Sequence, residues 1–175
     1  MLKRKKLNIG CGKNIKKEFV NLDSVNLPGV DIVHDLNEYP WPFKKDEFDE
    51  IYCSHVLEHL DNIIKPLEEI WRITKKNGLI RILVPISPSV WAFADPTHKQ
   101  FYTYFTFNYF RPEDNLNYYS KARFNIKKRK VSFSKYLRLV EILVNSSEIT
   151  KKIWAFFLYF LFPAETLEIE LKVIK

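Results

Sequence analysis

Leu7–Asp23 reads LNIGCGKNIKKEFVNLD. The whole chain has four glycines, and Gly10 and Gly12 stand one residue apart in this stretch. They follow the apolar run Leu7–Ile9 and precede a second strand-like segment, Glu18–Asp23, that ends in a carboxylate. Open parallel sheets bind ligands beyond the carboxyl ends of their strands. A glycine there lets backbone approach a ligand, because no Cβ intervenes. Asp23 is placed to accept two hydrogen bonds from a ribose diol. A tight turn beside an ordinary surface aspartate would use the same residues. The pattern does not suit NAD, which wants a third glycine, a pyrophosphate on a helix N-terminus and an acid about 20 residues on. Asp23 follows Gly12 by 11 positions. The intervening helix has room for a turn or two within Lys13–Lys17, and a nucleoside without a pyrophosphate fits better.

Outward from this stretch the chain continues as strands. Val30–Leu36 reads as a third, a proline-broken loop (YPWPF) follows, and Phe48–Val56 reads as a fourth. A helix is expected from about Asp61 to Lys76, with Ile63, Leu67, Ile70 and Thr74 at helical spacing and Asn77-Gly78 as its stop. Leu79–Pro85 is a fifth strand. Apolar strands with helices between them argue a mostly parallel sheet. Beyond Pro85, Arg123–Ser134 alternates as a strand with basic residues outward. Tyr136–Val144 and Lys151–Phe162 look helical, and Thr166–Ile174 alternates as a final strand. No linker divides the chain and no repeat is present. We expect one domain over 1–175, with a cofactor-binding half at 1–86 and a substrate-side, sheet-completing half at 87–175.

The net charge of +7 resides in the last third: residues 1–60 carry −1, 61–120 carry +1 and 121–175 carry +7. A basic face invites anionic partners such as nucleic acid, lipid headgroups or phosphorylated sugars, or it keeps the protein soluble. No aromatic-plus-basic recognition motif is legible, so nucleic acid is not the favoured partner. Cys11 and Cys53 make no disulfide framework. The apolar run after the basic start is too short for a signal peptide's core, and Ile153–Phe162 has ten residues where a membrane span needs about 20. A cytoplasmic protein is expected. Ile153–Phe162 is apolar nearly all round, so a buried helix is expected there, although Lys151 and Lys152 before it permit a shallow membrane-surface contact.

The segments LNIGCG, NLD, HDLNEYPWPFKKDEFDEIYCSHVLEHL and LEEIWRITKKNGLIRILVP resemble the class I S-adenosylmethionine-dependent methyltransferases, in particular the small Rossmann-like ones classed as type 11. The resemblance runs in order over about Leu7–Pro85, and less firmly over Asp95–Thr103 and the terminal strand. It implies a Rossmann-like α/β fold with a mostly parallel seven-stranded sheet, an antiparallel last strand and helices on both faces, the first helix shortened. It implies S-adenosylmethionine as cofactor. Asn8, Ile9, Gly10, Cys11 and Gly12 would line its methionine and ribose, Asp23 would hold the ribose hydroxyls, Asp35 and Leu36 would border the adenine, and Ser54 and His55 would face the sulfonium. The family usually has an acid at Asn8 and a glycine at Asn14. The acceptor would be a small molecule, a sugar or a lipid-linked intermediate. A non-catalytic module that binds the cofactor or a nucleic acid on the same fold is the alternative.

Methyl transfer from a sulfonium needs mostly orientation, and a protonated acceptor also needs a base that titrates near neutrality. His98, in DPTHKQFYT, is the first candidate, with Asp95 to orient it; a helix-capping turn would use the same residues. His55 is the second. His55–His59 also matches H-x-x-E-H, the inverted zinc-protease signature, with Glu58 as base. That motif must lie within a helix, yet His55 abuts an apolar strand, and no third ligand is obvious. No metal is expected.

Overall fold

The computed structural model describes residues 4–175, so the first three residues of the expected domain lie outside it. Seven strands form one sheet: β1 (Lys6–Ile9), β2 (Val20–Asp23), β3 (Ile32–Val33), β4 (Phe48–Ser54), β5 (Thr74–Pro85), β6 (Phe124–Ser132) and β7 (Thr166–Val173). Their spatial order is β3-β2-β1-β4-β5-β7-β6. β1 to β5 pair in parallel, and β7 runs antiparallel to both its neighbours. The chain order reverses between β1 and β4, which puts the turn after β1 at the switch point where such sheets bind ligands.

One face of the sheet carries the core. Ile9, Leu22, Cys53, Ile82 and Ile169 follow one another across the strands in register and are buried. Helix α1 (Ile64–Ile73) contributes Pro66, Leu67, Ile70 and Ile73 to that core, an apolar stripe set by helical spacing. Asn62 Oδ1 accepts from the first N–H groups of α1, at Ile64 and Lys65. The opposite face is polar and is laced by ion pairs, Lys6 with Glu50 and Arg81 with Glu168 and Glu170.

Three differences from the sequence reading lie in the first half of the chain. The expected short first helix is reduced to turns, and among the described residues no helix stands between β1 and β4. The loop that replaces it is held by a buried asparagine pair: Asn8 Nδ2 donates to Asn14 O and to Asn21 Oδ1, both at 2.9 Å, and Asn21 also serves the backbone of Lys16 and Phe19. The third strand shrinks to Ile32–Val33. Helix α1 ends at Ile73 rather than Lys76, because Thr74 already pairs with Phe48 and the register then slips before Glu50 meets Leu79. Asn77 takes φ +65 there, and Lys75 turns onto Asp49.

The last third departs most. Helices α2 (Val90–Ala94), α3 (Arg138–Val144) and α4 (Glu148–Ile153) are short, and α4 runs into a π-turn over Trp154–Leu158. Ser147 and Thr150 form a capping box at the start of α4. The expected buried helix over Ile153–Phe162 buries Trp154, whereas Phe156, Phe157, Phe160 and Leu161 are exposed, Phe157 to 80%. Trp154 is anchored by its Nε1–H on Phe162 O at 2.8 Å and by an edge contact with Phe133.

Candidate active site

Two cavities open at the carboxyl ends of β1, β2 and β4. The smaller, about 420 Å³, is lined by Gly10, Asp23, Asp35, Leu36, His55 and Val56 among others. The larger, about 730 Å³, is lined by His55, Glu58, His59, Trp91, Asp95 and His98 among others. Both lie in the size range of small-molecule sites. His55 and His59 border both.

Gly10 and Gly12 take φ of +59 and +49, where a side chain costs about 1–2 kcal/mol. They differ in surroundings. A Cβ on Gly10 would stand 2.2 Å from Val56 Cγ2, so this glycine lets Val56 close over the turn. A Cβ on Gly12 would meet nothing within 4 Å. Gly12 N–H donates to Asp23 Oδ2 at 2.7 Å, and Val25 N–H donates to Oδ1 at 3.1 Å. Asp23 is therefore fixed at the end of β2, beside the turn. Asp35 and Leu36 follow β3 on the same wall.

The expected cofactor positions divide. Gly10, Asp23, Asp35, Leu36 and His55 line the smaller cavity. Asn8, 2% exposed, spends its amide on the loop, and the side chains of Ile9 and Cys11 turn into the interior. Ser54 is half-buried at the end of β4. Asn8 stands where the resembled family has an acid, and its work here is structural. Burial, joined at Cys11 by the Asp23 carboxylate, pushes both cysteine thiols up. Thiolate chemistry is therefore suppressed.

His55 holds φ +55, uncommon for a residue with a side chain. Its N–H donates to Leu83 O at 2.9 Å, which ends the β4–β5 ladder. The turn throws its ring between the cavities, half-exposed, with Nδ1 3.2 Å from Glu58 Oε1. Leu57–His59 is a single 3₁₀ turn, so H-x-x-E-H does not lie on a helix as a zincin site requires. Glu58 is buried to 1% exposure, and its Oε2 has no hydrogen-bond partner. Its backbone carbonyl accepts from Lys99 and Gln100 N–H, which ties the Asp95–Thr103 segment to the end of β4. His98 Nδ1 contacts Ala92 O at 3.0 Å, and its Nε2 is 3.9 Å from Asp95 Oδ2. His98 lines the larger cavity with Asp95. Sequence reasoning assigned Glu58 only to the zinc motif; its burial was the missing signal, and an acid in a strand-end turn does not disclose it.

The family model described as a methyltransferase domain matches residues 11–82. Over that stretch, less than half of the chain, the sequence is similar to this family. Solved structures agree in fold. An S-adenosylmethionine-dependent methyltransferase of Archaeoglobus fulgidus is 21% identical, with a TM-score of 0.65 over 97% of this chain and 86% of that one. An S-adenosylmethionine-dependent methyltransferase of Mesorhizobium loti is 12% identical, with a TM-score of 0.59 over 97% and 90%. The [4+2]-cyclase SpnF is 12% identical, with a TM-score of 0.60 over 97% and 74%. The fold therefore supports more than one reaction. No curated protein matches the sequence. Among the described residues no helix is long and apolar enough to cross a membrane.

S-adenosylmethionine is the cofactor named for the Archaeoglobus and Mesorhizobium structures. The residues present fit it: the smaller cavity sets Gly10 of the turn beside the carboxylates Asp23, at the end of β2, and Asp35, just after β3, and the space around Gly12 is open.

Proposed function

We propose that this chain is an S-adenosylmethionine-dependent methyltransferase that places the cofactor in the smaller cavity and methylates an acceptor entering by the larger one, and that the acceptor carries a lipid or comparable apolar part. The observation that carries this reading is His55, whose ring borders both cavities. The bound cofactor supplies an electrophilic methyl group on a sulfonium. Asp23 holds the ribose end, and the Gly10–Gly12 turn admits the amino-acid arm.

His55 serves as base. With Nδ1–H directed at Glu58 Oε1, the ring keeps its Nε2 lone pair for the acceptor's proton. Glu58 orients the ring and fixes its tautomer. His98 and Asp95 contact the acceptor from the far wall, so the favoured base moves from His98 to His55.

The apolar part of the acceptor is argued from the rim. Trp91 and Phe93 on α2 are exposed, and Phe93 stacks on Phe101 at 4.8 Å. The exposed Phe156 packs on Phe105 at 4.8 Å. That segment runs through Pro163 and Ala164 into Glu165 and Thr166, which line the larger cavity. Exposed aromatics beside Lys152 suit an interfacial contact with anionic headgroups. The basic residues of β6 lie at the sheet edge, four strands from the β1 turn, which disfavours a nucleic-acid substrate at the cofactor.

The test is transfer of labelled methyl from S-adenosylmethionine to a total extract, partitioned between organic and aqueous phases. Label in the organic phase, lost with Asp23→Ala, is expected. Label confined to the aqueous phase overturns the lipid-linked acceptor, and no transfer to any fraction overturns the enzyme reading.

A further inference from the structure

The chain has four histidines, and three of them, His55, His59 and His98, meet at the larger cavity. One ligand atom each from Glu58, His59 and His98 lies within 4.8 Å of the others. Hydrogen bonds fix what each ring offers. Thr97 Oγ1 gives its hydrogen to Asp95 Oδ1 at 2.7 Å, so its 2.9 Å contact with His59 Nδ1 has the ring as donor. His98 Nδ1 faces the carbonyl of Ala92, which only accepts, so this ring also donates through Nδ1. Both imidazoles are left with an Nε2 lone pair. Glu58 Oε2, buried and without a donor, adds a third. Ligand atoms of these three residues come together within 4.8 Å, a donor set suited to a cation.

We propose that Glu58, His59 and His98 bind one divalent first-row transition-metal ion, of the zinc or iron(II) class, on the floor of the larger cavity. Two imidazoles and one carboxylate are the donor set of open metal sites, which keep positions for water or substrate. The partners on Nδ1, Thr97 with Asp95 and Ala92 O, are the outer contacts that orient ligating histidines. Glu58 then bridges the ion through Oε2 and His55 through Oε1. The ion lies on the acceptor side, where it holds an oxygen or nitrogen donor of the acceptor. This site differs from the H-x-x-E-H reading in its ligands, since His98 replaces His55 and the three come from a 3₁₀ turn and the segment after α2.

The ion's role toward the acceptor rests on the proposed methyl transfer, whereas metal binding itself does not and can be measured without turnover. The purified full chain is stripped with a chelator and titrated with Co²⁺, read by visible d–d absorption, and Zn²⁺ is then added as competitor. One Co²⁺ per chain, displaced by Zn²⁺, is expected. His59→Gln and His98→Gln, each checked by circular dichroism, weaken Co²⁺ binding tenfold or more, and His34→Gln leaves it unchanged. Where a variant does not fold, protection of His59 and His98 in the wild type from diethyl pyrocarbonate by Zn²⁺, read by mass spectrometry, takes its place. No saturable binding below millimolar metal, unchanged affinity in both folded variants, or unprotected histidines overturns the site.

Discussion

Gly12 N–H donates to Asp23 Oδ2 at 2.7 Å, across the β1–β2 pair. The carboxylate is thus fixed in place by the protein's own backbone, ready for the ribose hydroxyls that the proposed function places there. Hydrogen bonds to charged groups contribute about 1.5–3 kcal/mol, so Asp23→Ala is expected to weaken S-adenosylhomocysteine about tenfold or more by calorimetry. Undiminished binding removes Asp23 from the site.

The two glycines of the turn fail differently. Gly10→Ala meets both a positive φ and Val56 Cγ2 at 2.2 Å, and is expected to cost about 2–4 kcal/mol. Gly12→Ala meets only the φ, at about 1–2 kcal/mol, and weakens the ligand instead. Urea midpoints and S-adenosylhomocysteine titration separate the two; equal midpoints contradict the Val56 contact.

Asn21→Ala strands the Asn8 amide and the backbone of Lys16 and Phe19. Unsatisfied buried groups cost about 1–3 kcal/mol each. Faster tryptic cleavage at Lys13, Lys16 and Lys17 is expected, with little change at Lys75.

His55→Gln keeps a hydrogen-bonding side chain but not a base. A fall in kcat of about 10²–10⁴ is expected for an acceptor that must lose a proton. An unchanged rate on such an acceptor, followed by labelled methyl transfer, assigns the base elsewhere.

Lys75 Nζ donates to both carboxylate oxygens of Asp49 at 2.9 Å, and Lys5 N–H adds a third bond. These hold Asp49 below the usual carboxylate range. A pKa lower in the folded than in the unfolded state stabilises above the unfolded value, about 3.9, and that contribution is lost as pH falls through the folded one. Asp49→Asn is thus less stable than wild type at neutral pH, and the gap closes as the solution is acidified below about pH 4. Urea midpoints at both ends of that range check it.

The parallel strands, the turn and Asp23 were legible because each is written in adjacent residues: an apolar run, a glycine, an acid at the strand end. The loop-holding bonds of Asn8 were not legible, because an asparagine at a strand end looks the same whether it faces a ligand or props a loop; its partner Asn21 lies on the next strand. The segment Ile153–Phe162 was misread because an apolar run has no polar face to orient it. Only Trp154 and its neighbour Phe133 decide which side is inward.

By itself the sequence determined a methyltransferase-type sheet and the turn at Gly10–Gly12, since strand periodicity and glycine placement are local properties of the chain. The tertiary structure alone decided that Glu58 is buried between His55 and the His59–His98 pair. Those side chains come from a strand end, a 3₁₀ turn and the segment after α2, and the closing bonds from Lys99 and Gln100 to Glu58 O span about forty residues. Convergence over such a separation depends on how the sheet is closed, and no local pattern encodes it.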